Sequence, residues 1–245
     1  MLPLDHMLKN LHLSGFKQHM SLMQQHAIEH SWSYETFLSK LCELELAKRF
    51  QTRSTNWRRE SKLKVAKSFE QLDLTLYPEN ISQSIRQLQT DRDWVDSANN
   101  ILLFGPSGVG KSHIATALGL CLIDQGVRVK SFSAVDLVQQ LQCAKKELEL
   151  INFMTKLDKY RVILIDDIGY VKKTEGETQV LFEFIAHRYE SGSLIITSNQ
   201  PFSQWDEIFP DNLMTVAAVD RIIHHGWIIE IEGESYRKKQ KLTTL

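Results

Sequence analysis

Gly105-Pro106-Ser107-Gly108-Val109-Gly110-Lys111-Ser112 follows directly on the apolar run Ile101-Leu102-Leu103-Phe104 and has the spacing G-x-x-x-x-G-K-[ST]. The chemistry served by that spacing is the binding of a nucleoside triphosphate. Glycines at 105, 108 and 110 let the backbone turn without Cβ clashes, so that successive N–H groups and the N-terminus of a following helix surround the β-phosphate. Lys111 adds a point charge at the β- and γ-phosphates, and the Ser112 hydroxyl is a hard oxygen ligand suited to magnesium. The nucleotide-binding set expected from sequence is therefore Gly105, Pro106, Ser107, Gly108, Val109, Gly110, Lys111, Ser112 and the adjoining His113.

Two further strand ends carry polar groups. Val162-Ile163-Leu164-Ile165 runs into Asp166-Asp167, the Walker B arrangement. A buried strand delivers its C-terminal residues to the edge of the sheet where α/β ligands bind. Asp166 is expected to hold magnesium and Asp167 to orient or deprotonate an attacking water. Leu194-Ile195-Ile196-Thr197-Ser198-Asn199 is similar, and Asn199 either bonds the lytic water or γ-phosphate, or belongs to a turn before Pro201. Phosphoryl transfer leaves charge on the γ-oxygens that a guanidinium stabilises, with Arg188, Arg221 and Arg237 as candidates between which residue types do not choose.

These residues need a parallel sheet to bring them together. Apolar runs at 101–104, 127–132, 161–165 and 194–197 alternate with helical stretches, Lys111–Asp124 closed by Gly126 and a long one from about Ala134 to Lys159 among them. That alternation predicts an α/β fold with helices covering a parallel sheet. Ahead of it, the first 67 residues read as helices: Phe37, Leu41, Leu44 and Ala47 form one apolar stripe after Ser31 or Ser33 as N-cap, with the stretches around Leu4 to Leu11 and Phe16 to Ile28 as its partner. The expected division is a small all-α domain over 1–70, a connector over 71–98 containing Pro78, an Ile81-Ile85-Leu88 helix and Trp94, and the nucleotide-binding domain over 99–245.

With 245 residues, 42% of them hydrophobic, the chain buries a sizeable core. No run of 18 apolar residues marks a membrane span and no secretory leader is visible, so the expected location is cytoplasmic. Cys42, Cys121 and Cys143 lie in apolar helical patterns and read as reduced core thiols. Net charge is −1, unevenly spread: residues 1–70 hold eleven Lys/Arg against seven Asp/Glu. Between 48 and 67 eight basic residues face Glu60 alone, with Arg53, Trp57, Arg58, Arg59, Lys62 and Lys64 close together, a run suited to binding a polyanion.

The stretches GPSGVGKSHIATALGL at 105–120, ILIDDIGYV at 163–171, LFEFIAHRYE at 181–190, IITSNQPFSQWDEIFPD at 195–211, MTVAAVDRIIHHG at 214–226 and ESYR at 234–237 resemble the IstB-type transposition helper ATPases of bacterial insertion sequences, AAA+ proteins related to the DnaC helicase loaders. The resemblance implies ATP with Mg2+ as cofactors, Asn199 as sensor 1, Arg221 as an arginine finger acting from a neighbouring subunit and Arg237 as a sensor-2-like residue. It implies a homo-oligomer that binds and bends duplex DNA, presents it to a cognate transposase and releases it on hydrolysis, which makes Arg53, Trp57, Arg58, Arg59, Lys62 and Lys64 the candidate DNA-contact set, suited to phosphate contacts with stacking or minor-groove wedging. No helix-turn-helix or zinc pattern is present to read bases, so weak sequence preference is expected. A DnaC-like helicase loader is the alternative. Ser112 stands where Thr is frequent, and Asp167 is shorter than the Glu that most AAA+ proteins carry, which predicts slow hydrolysis without partners.

Overall fold

The computed structural model describes residues 3–169, 174–201, 204, 205, 212–224, 226–233 and 236. The chain separates into two compact units, Met1–Asn56 and Trp57–Leu245, so the division falls ahead of the boundary expected near 70.

In the first unit, α1 (Leu4–Asn10), α2 (Ser14–Glu29) and the beginning of α3 (Tyr34–Ser61) enclose a small core of Leu8, Phe16, Met23 and Leu41. Ser33 is the N-cap: its hydroxyl accepts the Thr36 N–H at 3.1 Å. The stripe of α3 buries Leu41 and partly Phe37 and Leu44, whereas Ala47 is exposed. Close approach occurs at Gly15, where a Cβ would lie 2.8 Å from the Glu45 Cα. There the buried Glu45 carboxylate accepts the Gly15 N–H at 2.5 Å and Arg49 Nε at 2.7 Å, which satisfies a charge that burial would otherwise penalise.

The second unit begins with the last turns of α3. After short 3-10 turns between Val65 and Leu76 come α4 (Glu79–Thr90), the single turn α5 (Asp93–Asp96) and β1 (Asn100–Phe104). Then follow α6 (Lys111–Asp124), β2 (Val129–Ser133), α7 (Ala134–Lys146), α8 (Leu150–Leu157), β3 (Val162–Asp166), α9 (Glu175–Arg188), β4 (Ser193–Ser198), α10 (Asn212–His224) and β5 (Gly226–Glu230). All pairings are parallel, in the order β2-β3-β4-β1-β5.

Strand side chains alternate between two cores, as the period of two demands. Leu102, Phe104, Ile163, Ile165, Leu194 and Ile196 pack with Leu137, Leu141, Leu181, Phe184 and Ile222 of the helices on one face. Ile101, Leu103, Val129, Leu164, Ile195 and Ile229 pack with Ile114, Leu118, Ile85, Leu88 and Trp94 on the other. Helix α6 ends in a Schellman motif around Gly126 at φ 84°, with the Val127 N–H on the Leu122 carbonyl at 2.8 Å and the Gly126 N–H on that of Ile123 at 3.0 Å.

Four sequence expectations change. The stretch 134–159 is two helices, broken where Leu148 takes φ 58°. Ile222-Ile223, which from sequence reads as an apolar turn begun by Asp220-Arg221, continues a helix. Gly226–Glu230, not expected as a strand, pairs along the whole of β1; its short run carries the exposed Ile228 and half-exposed Trp227 of an edge strand, which blurs the buried-strand pattern. Among the cysteines, all free, Cys42 and Cys143 are exposed and only Cys121 is partly buried, because their helices turn those positions away from the cores.

Candidate nucleotide site

The strand order puts the three functional ends side by side. β4 lies between β3 and β1, with Phe104 level with Ser198 and Ile165 level with Ile196. Hence Gly105 and Asn199 leave the sheet at one level, and Asp166 stands beside Thr197. This is the C-terminal edge at which α/β sheets bind ligands.

Gly105, Gly108 and Gly110 have φ of 141°, 93° and 103°. At Gly105 a Cβ would meet the Ile231 carbonyl oxygen at 2.1 Å, and at Gly110 the Tyr77 hydroxyl at 2.1 Å, so both backbone conformation and space require glycine. Tyr77 comes from the connector and donates its hydroxyl to the Val109 carbonyl at 3.1 Å, while the Tyr236 N–H donates to the Gly108 carbonyl at 3.1 Å. Pro106 and Ser107 complete the turn, and Val109 is buried in the core under it. Lys111 is buried and its Nζ donates to the carbonyls of Gly105 and Pro106 at 2.7 and 2.8 Å. An ammonium held over the loop in this way exchanges neutral carbonyls for phosphate oxygens, which are stronger acceptors. Ser112 is half-buried in the first turn of α6. The His113 ring places Nε2 3.0 Å from the Ser68 carbonyl, and so ties the segment that follows α3 to α6.

Asp166 is half-buried and Asp167 exposed. Both are held by Thr197, which residue-by-residue reading passes over: its buried hydroxyl donates to Asp166 Oδ1 at 2.6 Å and accepts the Asp167 N–H at 2.8 Å. The Thr197 carbonyl accepts the Ile168 N–H at 3.0 Å, and Asp167 turns the chain at φ 59°, a conformation that Asp tolerates better than most residues. A hydroxyl at the end of an otherwise apolar buried strand was the available signal. Ser112 and Asp166 supply oxygen donors only, the set that fits magnesium sharing its shell with phosphates and water. The described residues contain no group of three or more His, Cys, Asp or Glu able to hold a metal unaided. Bound there, the ion would screen the phosphate charge.

Asn199 is exposed at the end of β4. The loop after it is anchored by Trp205, which is fully buried, packs on Phe104 with ring centroids 6.3 Å apart and donates Nε1 to the Gln200 carbonyl at 3.3 Å. Of the arginine candidates, Arg188 is 2% exposed and donates Nη2 to the carbonyls of Tyr160 and Arg161, both at 3.0 Å. It is a core residue, unable to reach a nucleotide. Arg221 is exposed on α10 and donates Nη1 to the Ala217 carbonyl of its own helix at 3.1 Å. Arg237 lies outside the described residues.

The candidate DNA-contact set is divided. Arg53 is exposed in the first unit; the others lie in the second. Trp57 is partly buried against the core around α6, and Arg58 grips Asp124, with Nη2 to Oδ1 at 2.6 Å. Arg59, Lys62 and Lys64 are exposed.

Over residues 6–244 the chain matches the model of a family described as IstB-like ATP binding protein. It is 42% identical over 236 residues to an insertion sequence ATP-binding protein of Sinorhizobium fredii, covering 96% of this chain and 79% of that protein. To the IS5376 ATP-binding protein of Geobacillus stearothermophilus identity is 36%, over 94% and 92% of the two chains, and to the IS21 protein of Pseudomonas aeruginosa 33%, over 97% and 89%. The fold is similar to the DnaC helicase loader (TM-score 0.55, 20% identity, 65% of this chain and 96% of that one) and to AMPPCP-bound DnaA from Aquifex aeolicus (TM-score 0.58, 21% identity, 75% and 56%). The glycine loop on β1, the paired aspartates on β3 and this family match agree: the chain belongs to the IstB-like ATP-binding proteins of insertion sequences, as an ATPase of AAA+ fold.

Proposed function

We propose that this protein is the ATP-driven target-DNA adaptor of a transposition system: it assembles on duplex DNA, bends it, presents it to a cognate transposase and releases it on hydrolysis, acting in the cytoplasm. The observation that carries the reading is the placement of Lys111, Asp166, Asp167 and Asn199 at three neighbouring strand ends. Lys111 and the loop amides hold the β- and γ-phosphates, Ser112 and Asp166 hold magnesium, and Asp167 with Asn199 orients the attacking water. The exposed Arg221 is suited to completing the site of a neighbouring subunit, and Arg237 to contacting the phosphates from the same chain. DNA contact falls to the exposed Arg53, Arg59, Lys62 and Lys64, in preference to Trp57 and Arg58. The short Asp167 makes basal hydrolysis slow, accelerated by DNA or partner.

Light scattering after size exclusion tests this, with duplex DNA and ATP-Mg2+, with ADP, and with Asp167→Asn. Large DNA-bound assemblies that need ATP and persist in the variant support the reading. A monomer indifferent to duplex DNA in all three conditions overturns it and points to the helicase-loader alternative.

A further inference from the structure

At the end of the sheet opposite the nucleotide loop, α3 delivers Glu60 to the starts of β2 and β3. The Glu60 carboxylate accepts Arg128 Nη2 at 2.6 Å, the Tyr160 hydroxyl at 2.7 Å and Lys159 Nζ at 3.0 Å, and its main-chain carbonyl accepts Lys130 Nζ at 2.7 Å. The same three cations surround the Tyr160 ring, with Lys159, Arg128 and Lys130 at 4.9, 5.3 and 5.8 Å from its centroid. One carboxylate thus stands against three cations. A structural ion pair needs one or two; crowding three costs stability through repulsion unless a further anion answers them. The side chains stay partly accessible, Arg128 at 31% and Lys159 at 47% exposure. Strands of five residues span about 16 Å, which separates this cluster from the phosphates of the nucleotide.

We propose that Arg128, Lys130 and Lys159, gathered about Glu60 and Tyr160, form a phosphate-contact surface for duplex DNA on the ATPase unit itself. This deepens the DNA reading above and rests on it. All three lie far in sequence from the basic run 48–67, whose Glu60 they meet only through the fold. The surface reads no bases: the Tyr160 hydroxyl is committed to Glu60 and its ring to cations, so the contact is with backbone charge and is screened by salt.

The test is fluorescence anisotropy of a labelled duplex with the full chain, ATP and magnesium, as salt rises from about 50 to about 200 mM. Lys130→Gln/Lys159→Gln removes two contacts, and the expected slope of log affinity against log salt is shallower by about two, with roughly tenfold weaker binding at low salt. Glu60→Gln removes the opposing carboxylate and is expected to bind DNA several-fold more tightly, the reverse of what damage to a merely structural hub would do. A double variant that melts lower yet keeps the wild-type slope overturns the proposal and leaves the DNA reading standing. Absence of duplex binding by the wild-type chain overturns both.

Discussion

Replacing Thr197 by Val tests how the catalytic edge is held. The residue is fully buried and Val is nearly isosteric, so the substitution opens no cavity and changes only hydrogen bonding. It removes a donor to the Asp166 carboxylate at 2.6 Å, the charged kind of bond that contributes about 1.5–3 kcal/mol, and the acceptor of the Asp167 N–H at 2.8 Å, whose desolvation costs about 1–3 kcal/mol. Both groups lie near the strand end and partly recover water, so the net loss is about 2–4 kcal/mol, or roughly 5–10 °C in melting temperature for a unit of this size. The functional consequence is more specific. Without the hydroxyl, the Asp166 carboxylate and the Asp167 N–H lose their bonds to Thr197 and the Ile168 N–H on the Thr197 carbonyl remains, and a misplacement of about 1 Å costs on the order of a hundredfold in rate. Steady-state ATPase assays on Thr197→Val are expected to show kcat down by about tenfold to a hundredfold with KM for ATP little changed, because Lys111 and the glycine loop still hold the phosphates. Thr197→Ser keeps the hydroxyl and restores most of the rate. A Val variant with wild-type kcat, or a Ser variant as impaired as Val, refutes the reasoning.

Gly110→Ala forces a side chain onto φ 103° and drives its Cβ into the Tyr77 hydroxyl, so binding of a fluorescent ATP analogue is lost; adding Tyr77→Phe relieves the clash but not the backbone strain, and restores binding only in part. The Glu60 carboxyl is held down to about 2 by hydrogen bonds from Arg128, then Tyr160 and Lys159, against an ordinary 4.5. Its folded-state value is depressed, so its stabilisation is present above about pH 4.5 and fades as the pH falls towards 2. After allowance for solvent screening it amounts to about 1–2 kcal/mol, and the gap in urea midpoint between wild type and Glu60→Gln should narrow on titration from pH 7 to pH 3. Mixing Lys111→Ala with Arg221→Ala subunits is expected to recover ATPase activity, each lacking what the other supplies, whereas Lys111→Ala with Arg188→Ala recovers none, since the buried Arg188 serves its own core.

The chemistry of the loop from Gly105 to Ser112 was legible in the chain because it depends on contiguous residues: glycine where φ is positive, then a cation and a hydroxyl at the first turn of a helix. The same holds for the strands ending in Asp166 and Asn199, whose apolar runs are local. β5 was not legible, because an edge strand with exposed positions carries no buried-strand pattern. Arg188 and Arg221 are alike as residues; only packing distinguishes the one sealed under Tyr160 and Arg161 from the one on an exposed helix face. Trp57 and Arg58 looked like DNA contacts in a basic run, but the fold turns the first towards the core and pairs the second with Asp124. Thr197 acquires its role from lying beside β3, and Lys130 and Lys159 theirs from meeting Glu60 across the chain. Sequence determines which groups are available and how the backbone turns locally; which groups meet depends on strand order and helix packing, which arise from apolar burial summed over the whole unit.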